Sequence, residues 1–332
     1  MADNKKNILV VGGAGYIGSY MCKCLSKEGY TPIVLDNLIY GHRQAVKWGK
    51  FYQGNLDDTD LLDKIFTEQP IFAVFHFAAY CYVGESVEKP GIYYENNVAA
   101  TLRLLQSMID HDVRKFIFSS SCAIFGEPVQ IPISETHPKN PINPYGRTKL
   151  MVEQIADDFS HAHGLEHVCL RYFNAAGADP DGELGEDHQP ETHLIPLVLD
   201  AALGKRPSIQ IFGDDYPTED GTCIRDYIHI EDLAQAHLLA LQKLAEGRGG
   251  GKYNLGNGKG YSVMEVIETA KKISGRKILC QMVERRAGDP ARLVGASQKA
   301  KEELGWKPKF TELSDIIETA WNWHRQHPDG YK

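Results

Sequence analysis

The apolar positions fall in short continuous runs separated by amphipathic stretches. "NILVVG" (7–12) is unbroken and predicts a strand buried on both faces, and 15–28 reads as a helix. "TPIVLD" (31–36) and "KFYQGN" (50–55) predict a second and a short third strand. "LDDTDLLDKIFTEQ" follows as a helix with acids at its start, then "IFAVFHFA" (71–78) as a buried strand. Val98, Leu102, Leu105 and Ile109 recur at helical spacing within 91–110, ahead of the strand "KFIFSSS" (115–121). In the next helix Tyr145, Val152, Ala156 and Phe159 form a stripe with Ile155 beside it. Asn143 suits the N-cap and Pro144 the first helical position. "HVCLRYFN" (167–174) closes the series. Strands alternating with helices imply an α/β fold: a doubly wound parallel sheet of the Rossmann type, with helices on both faces.

After residue 175 the rhythm loosens into acidic, Gly-rich and Pro-rich loops (176–192, 213–223, 246–260) between shorter elements. We expect two domains: residues 1–175 binding a dinucleotide, and 176–332 forming a smaller mixed α/β lobe. The segment of about 223–248 is expected to pack back on the first. The net charge of -8, with no basic run, argues against nucleic acid and against an anionic membrane surface. The start "MADNKKNILVVGG" does not read as a signal peptide, and no apolar run is long enough to span a bilayer. Seven scattered cysteines read as reduced, buried thiols of a cytoplasmic protein. "HAHGLEH" (161–167) reads as a solvated helix end, and no metal site is expected.

Three motifs carry chemistry. Gly12, Gly15 and Gly18 follow the first strand and open a helix, the arrangement that lets a backbone approach a pyrophosphate at a helix N-terminus. The second strand ends in Asp36, where a carboxylate accepts hydrogen bonds from an adenosine ribose and repels a 2'-phosphate; this favours NAD over NADP. "FSSSCAIFG" ends a parallel strand, at the edge of the crevice where such sheets bind ligands, and Ser121 is the hydroxyl aimed into it. Finally, Lys149 lies on the apolar stripe one turn after Tyr145. Either its ammonium snorkels to water, or it has a task. Such a task is to favour the phenolate: bringing a tyrosine from about 10 to near neutrality requires about 4 kcal/mol of charge stabilisation. A tyrosinate then takes the proton of a sugar hydroxyl while the carbon beneath gives up hydride.

With these motifs the chain resembles the extended short-chain dehydrogenase/reductases, and within them the NAD-dependent UDP-sugar 4-epimerases. The supporting stretches are "GGAGYIG", "LDNL", "VGESV", "NNV", "FSSS", "PYGRTKLMVEQI", "LRYFNAAGADP", "DYPTEDGT", "RDYIH", "YNLG" and "RRAGD". The resemblance implies a catalytic Ser121, Tyr145 and Lys149. It implies NAD contacts from Gly12, Gly15, Tyr16, Ile17, Gly18, Asp36, Asn37, Asn55, Leu56, Phe77, Ala78, Ala79, Asn96, Ser119, Tyr145, Lys149 and Tyr172. It implies UDP-sugar contacts from Ser121, Tyr145, Phe173, Asn174, His193, Leu194, Gln210, Phe212, Arg225, Arg286 and Asp289, and a homodimer.

The departures are Asn55 in place of an aspartate near adenine, Cys81 where some members have a cofactor-reaching lysine, and His193 in place of an asparagine. Related dehydratases carry an acid just after the Ser/Thr, whereas here Cys122 and Ala123 stand there and neither protonates a leaving hydroxyl. The missing acid argues against dehydration, and the resemblance implies interconversion of UDP-glucose and UDP-galactose, by C4 oxidation, rotation of the 4-keto sugar and hydride return. The alternatives are epimerisation of UDP-N-acetylglucosamine, UDP-xylose or UDP-glucuronate, or a non-catalytic NAD-binding scaffold. Beyond "RRAGD", Arg292 or a neighbour is expected to limit room beside the sugar's C2 group.

Overall fold

A computed structural model describes residues 6–286 and 289–332; residues 1–5, where the signal-peptide reading began, and Ala287–Gly288 of "RRAGD" lie outside the described residues. The elements run β1 (Asn7–Val11), α1 (Tyr16–Lys27), β2 (Thr31–Asp36), β3 (Lys50–Gln53), α2 (Thr59–Glu68), β4 (Ile71–His76), α3 (Val83–Glu88) and α4 (Pro90–Tyr94). A π-helical turn (Glu95–Ala99) leads into α5 (Ala100–Asp110), followed by β5 (Lys115–Ser121), α6 (Pro144–His163) and β6 (Glu166–Tyr172). Then come β7 (Asn174–Ala176), α7 (Leu194–Ala202), β8 (Ile209–Phe212), β9 (Ile224–Arg225), β10 (Tyr227–His229), α8 (Ile230–Ala245) and β11 (Gly251–Leu255). The chain finishes with β12 (Tyr261–Ser262), α9 (Val263–Ser274), β13 (Cys280–Val283), β14 (Arg292–Leu293), α10 (Gln298–Glu303) and α11 (Leu313–Gln326).

Contacts divide the chain into two units. The first comprises Met1–Gly126, Pro138–Arg171 and Ala234–Tyr253; the second comprises Glu127–His137, Tyr172–Leu233 and Asn254–Lys332. The main sheet has the order β11-β6-β5-β4-β1-β2-β3, with β1 pairing parallel to both β2 and β4. Leu9 lies opposite Ile33 on one side and Val74 on the other. This 3-2-1-4-5-6 order reverses between β1 and β4, so the crevice for a ligand opens at the carboxyl ends of those two strands. The core beneath it is built from Leu9, Ile33, Val74, Leu104, Phe116 and Val152, all almost fully buried.

Local chemistry sets the helix ends. Asp58 caps α2 by accepting from the Leu61 N–H at 3.0 Å. Asn143 caps α6 by accepting from the Gly146 N–H at 2.8 Å, Pro144 takes the first position, and Gly164 ends the helix at φ 69°. In the second unit Ser262 and Glu265 form a reciprocal capping box on α9. That unit has its own core, including Val198, Leu199, Ile267, Ile316 and Ile317, beside two small sheets, β12-β9-β14 and β13-β8.

The expected stripe on 91–110 needs correction. Leu105 is fully buried and Ile109 packs against the core as expected, but Leu102 is 43% exposed, and further inward positions are Tyr93, Asn97, Thr101, Leu104 and Met108. Two of these are polar, so an apolar pattern skipped them. The thiols also differ from expectation: all seven are free, but Cys280 is exposed and Cys24, Cys81 and Cys122 are half-buried. Among the described residues no helix is long and apolar enough to cross a membrane.

Candidate active site

The turn after β1 is shaped by its glycines. Gly12 sits at φ +81°, and a Cβ there would lie 2.6 Å from the Ala78 backbone N. A Cβ on Gly18 would fall 2.1 Å from the Gly12 carbonyl oxygen, so only glycine lets α1 press against the turn. At Gly15 the fold makes no such demand, because a Cβ would meet only the Gly12 oxygen, at 3.5 Å. Gly15 is the N-cap of α1, and the absence of a side chain leaves the helix N-terminus bare. Asp36, buried at the end of β2, accepts from the Ala14 N–H at 2.9 Å and the Leu38 N–H at 2.8 Å, one on each oxygen. Burial raises its carboxyl above the usual value, against the pull of those two N–H groups.

A pocket is lined by Val11, Leu35, Asp36, Asn37, Gly54, Asn55, Leu56, Ala78 and Asn96. Six of these were expected from sequence to touch the cofactor. The Asn55 amide oxygen already accepts from the Asn37 side chain at 2.7 Å, which leaves one lone pair for an adenine. Phe77 and Ala78 both donate backbone N–H bonds to the Val11 carbonyl, and this holds the end of β4 against the glycine turn.

The three consecutive serines of β5 have three separate tasks. The Ser119 carbonyl accepts from Lys149 Nζ at 2.7 Å. The Ser120 hydroxyl donates to Glu153 Oε1 at 2.6 Å. Ser121 caps the turn Cys122–Ile124, its Oγ accepting from the Ala123 N–H at 3.2 Å. Strand pleating accounts for the different aims of the Ser120 and Ser121 side chains, since successive side chains point to opposite faces. Gly146 lets the first turn of α6 rest on that same Cys122–Ile124 turn: a Cβ there would lie 2.4 Å from the Ala123 oxygen. Tyr145 and Ser121 are thereby brought to one end of the sheet.

Lys149 does not snorkel. It is 3% exposed, with Nζ 4.9 Å from the centre of the Phe118 ring and 5.8 Å from that of Tyr145. Burial lowers its ammonium to about 8, while the nearby Cys81 thiol works in the opposite direction. Burial, and after it the Lys149 charge, lower His76 to about 3, so this ring is neutral beside the site.

Two bracing residues were missed by the sequence reading. Asn97, in the π-helical turn, bonds Tyr80 N (2.8 Å), Tyr80 O (2.9 Å) and Thr148 Oγ1 (3.1 Å), and Thr148 in turn donates to the Tyr145 carbonyl at 2.7 Å. Glu153 takes Arg171 in a two-point pair, Nε to Oε1 at 2.8 Å and Nη2 to Oε2 at 2.6 Å, with both side chains 1% exposed. "NNV" and an acid four residues after Lys149 on the inward side were the available signals.

In the second unit, Arg225 is anchored by Asp289 and by the carbonyls of Ile224 (2.8 Å) and Pro290 (2.9 Å). Arg286 remains exposed, its guanidinium 4.2 Å above the Phe212 ring. Gln210 and Phe212 share one face of β8, and Gln210 is exposed. Asn174 donates to the Asp226 carbonyl at 3.1 Å, next to Arg225, and Phe173 is buried against Gly295. His193 is drawn elsewhere: its Nδ1 lies 2.7 Å from Glu186 Oε1, just before the α7 N-terminus that begins with Leu194. The histidines of "HAHGLEH" do not converge on one point: His161 lies against the Asp157 carbonyl, His163 against the Phe159 ring and His167 beside the Asp157 carboxylate.

Fold and geometry together define a doubly wound dinucleotide-binding protein whose sheet end carries serine, tyrosine and a buried lysine. The chain belongs to the NAD dependent epimerase/dehydratase family, which it matches over residues 8–256. It is 56% identical over 324 residues to a UDP-glucose 4-epimerase of Halalkalibacterium halodurans, covering 98% of this chain and 97% of the relative. Among solved structures it resembles the UDP-glucose 4-epimerase from Brucella ovis in complex with NAD. That likeness has a TM-score of 0.93 and 50% identity, over 95% of this chain and 97% of the other. The UDP-glucose 4-epimerase from Bifidobacterium longum in complex with NAD+ and UDP aligns with a TM-score of 0.92 and 40% identity, over 98% of this chain and 100% of the other.

Proposed function

We infer that the chain interconverts UDP-glucose and UDP-galactose with NAD held through the cycle. The carrying observation is Lys149, buried one turn from Tyr145 and tied to the strand that ends in Ser121. Bound NAD supplies a hydride acceptor that becomes a donor in the second half-reaction. Tyr145 takes the proton from the sugar's O4, and the Lys149 ammonium favours the phenolate that does so. Ser121 already accepts the Ala123 N–H, so its own proton is directed to a substrate oxygen. Cys122 and Ala123 offer no acid, so the 4-keto sugar keeps its other hydroxyls and only hydride return remains.

The open Gly15 turn and Asp36 suit a pyrophosphate and an unphosphorylated adenosine ribose, with Asn37 and Asn55 beside the adenine. We assign NAD binding to residues 1–175 and the UDP-sugar to 176–332, with Arg286 as the guanidinium for the diphosphate and Arg225 as its support. Arg292, exposed on β14, limits the space beside C2 and favours the plain hexoses over UDP-N-acetylglucosamine, by about 1–3 kcal/mol. Val83, Val87, Ile92 and Leu102 are large exposed apolar side chains on consecutive helices of the first unit and support a homodimer. Seven free thiols are consistent with a cytoplasmic setting. Incubation with a panel of UDP-sugars, products resolved by NMR, tests the reading. UDP-galactose formed from UDP-glucose without added NAD is the expected result. Inversion of another sugar alone, or none, refutes it.

A further inference from the structure

The loop that precedes α7 gathers two histidines and two carboxylates within eight residues, Glu186-x-His188-x-x-Glu191-x-His193. Each offers one ligand atom, and all four atoms lie within 4.8 Å of one another. Glu186 Oε1 is 2.7 Å from His193 Nδ1 and 3.3 Å from His188 Nδ1; Glu191 oxygens are 3.3 Å and 3.5 Å from the same two nitrogens. In a tetrahedron with metal–nitrogen and metal–oxygen bonds of about 2.0–2.1 Å, neighbouring ligand atoms stand about 3.3–3.4 Å apart. The Glu186–His188 and Glu191–His193 separations, 3.3 Å each, match that spacing; the Glu186–His193 separation is shorter, and His188 faces the other Glu191 oxygen at 3.5 Å. His193 Nδ1 is enclosed and, despite its closeness to Glu186, has no aligned hydrogen bond. Glu191 Oε1 is also held by the backbone N–H groups of Thr192 (2.7 Å) and His193 (2.8 Å), so the carboxylate is oriented by its own loop. Glu186 is 5% exposed.

We propose that Glu186, His188, Glu191 and His193 bind one divalent transition-metal cation, zinc by preference, in a closed four-ligand site. Two imidazoles and two carboxylates suit zinc better than magnesium or calcium, which take oxygen ligands. With four protein ligands the ion has no position for substrate, so its task is structural: it clamps the loop ahead of Leu194.

The experiment uses the full chain, freed of metal by dialysis against a chelator and then titrated with zinc chloride or cobalt chloride. The expected result is about one equivalent bound, with cobalt giving the strong visible absorption of tetrahedral coordination. His188→Ala and Glu186→Gln should each weaken binding about 100-fold or more. His161→Ala, in the other histidine run, should bind as the unaltered chain does. Binding of much less than one equivalent would overturn the proposal and leave two protonated imidazoles paired with two carboxylates. So would a weak six-coordinate cobalt spectrum, or binding indifferent to His188→Ala.

Discussion

Glu153→Gln is the most demanding test of how the site is held. In the folded chain Glu153 receives three hydrogen bonds, at 2.6 Å from Ser120 and at 2.8 and 2.6 Å from Arg171. Both members of the ion pair are 1% exposed, so water cannot replace what is lost. Glutamine keeps the shape but removes the charge, and its amide nitrogen faces a donor. Removing one partner of a buried pair costs about 3–5 kcal/mol, because the other charge stays buried. An unfolding entropy of about 2.1 cal/mol/K per residue over 332 residues is about 0.7 kcal/mol/K, so Tm should fall by about 4–7 °C. The assay is thermal unfolding followed by circular dichroism at fixed cofactor concentration. Replacing both Glu153 and Arg171 by Met should recover much of the loss, since no charge is then left alone. A fall of less than about 1 °C for Glu153→Gln would refute the reasoning, as would a double variant less stable than the single one.

Tyr145→Phe should lower kcat about 100-fold or more while nucleotide released on denaturation is unchanged, as a coupled assay and chromatography of the supernatant would record. Lys149 gives up its proton near 8 in the fold and near its usual 10.5 when unfolded. Between those values the unfolded chain binds more protons, so this group makes stability rise with pH, by on the order of 3 kcal/mol across the window; Lys149→Met should remove that rise in denaturant titrations at pH 8 and 10. Gly15→Ala should leave the Tm of cofactor-free protein nearly unchanged but weaken NAD binding, whereas Gly18→Ala should lower both, because its methyl would meet the Gly12 oxygen at 2.1 Å.

The parts of the fold written in strong periodic signals were legible from sequence. β1, β2, β4 and β5 are continuous apolar runs, and α6 carried its cap, its proline and its stripe in plain view. The positions of Ser121 and Lys149 were legible because each breaks a local expectation, one as a hydroxyl at a strand end and the other as a cation on an apolar face, and Tyr145 lies one turn before that cation. What stayed hidden depends on partners far away in the chain. Asn97 looked like any helix asparagine until Tyr80 and Thr148 closed around it. His193 was read by its place before "LIP", but its nitrogen answers to Glu186, seven residues back. Arg225 was expected among the UDP-sugar contacts, and its anchoring through Pro290 and Asp289 had no local signal. Of the interleaving of the two units, the return of the chain to the first was expected for about 223–248 and is found at Ala234–Tyr253, where β11 lies beside β6; the excursion of Glu127–His137 into the second was not foreseen.

That interleaving imposes a timetable on a growing chain. When Tyr172 leaves the ribosome, β6 forms the border of the sheet, with a row of backbone groups unmatched. Its neighbour β11 begins at Gly251 and ends at Leu255, about 80 residues later. At about 5–20 residues per second, the border waits about 4–16 s for its last strand. Throughout that interval, nascent chains on neighbouring ribosomes offer one another the same incomplete sheet. A pause in synthesis while β11 is still inside the ribosome would lengthen the exposure, whereas one after Leu255 has emerged would not.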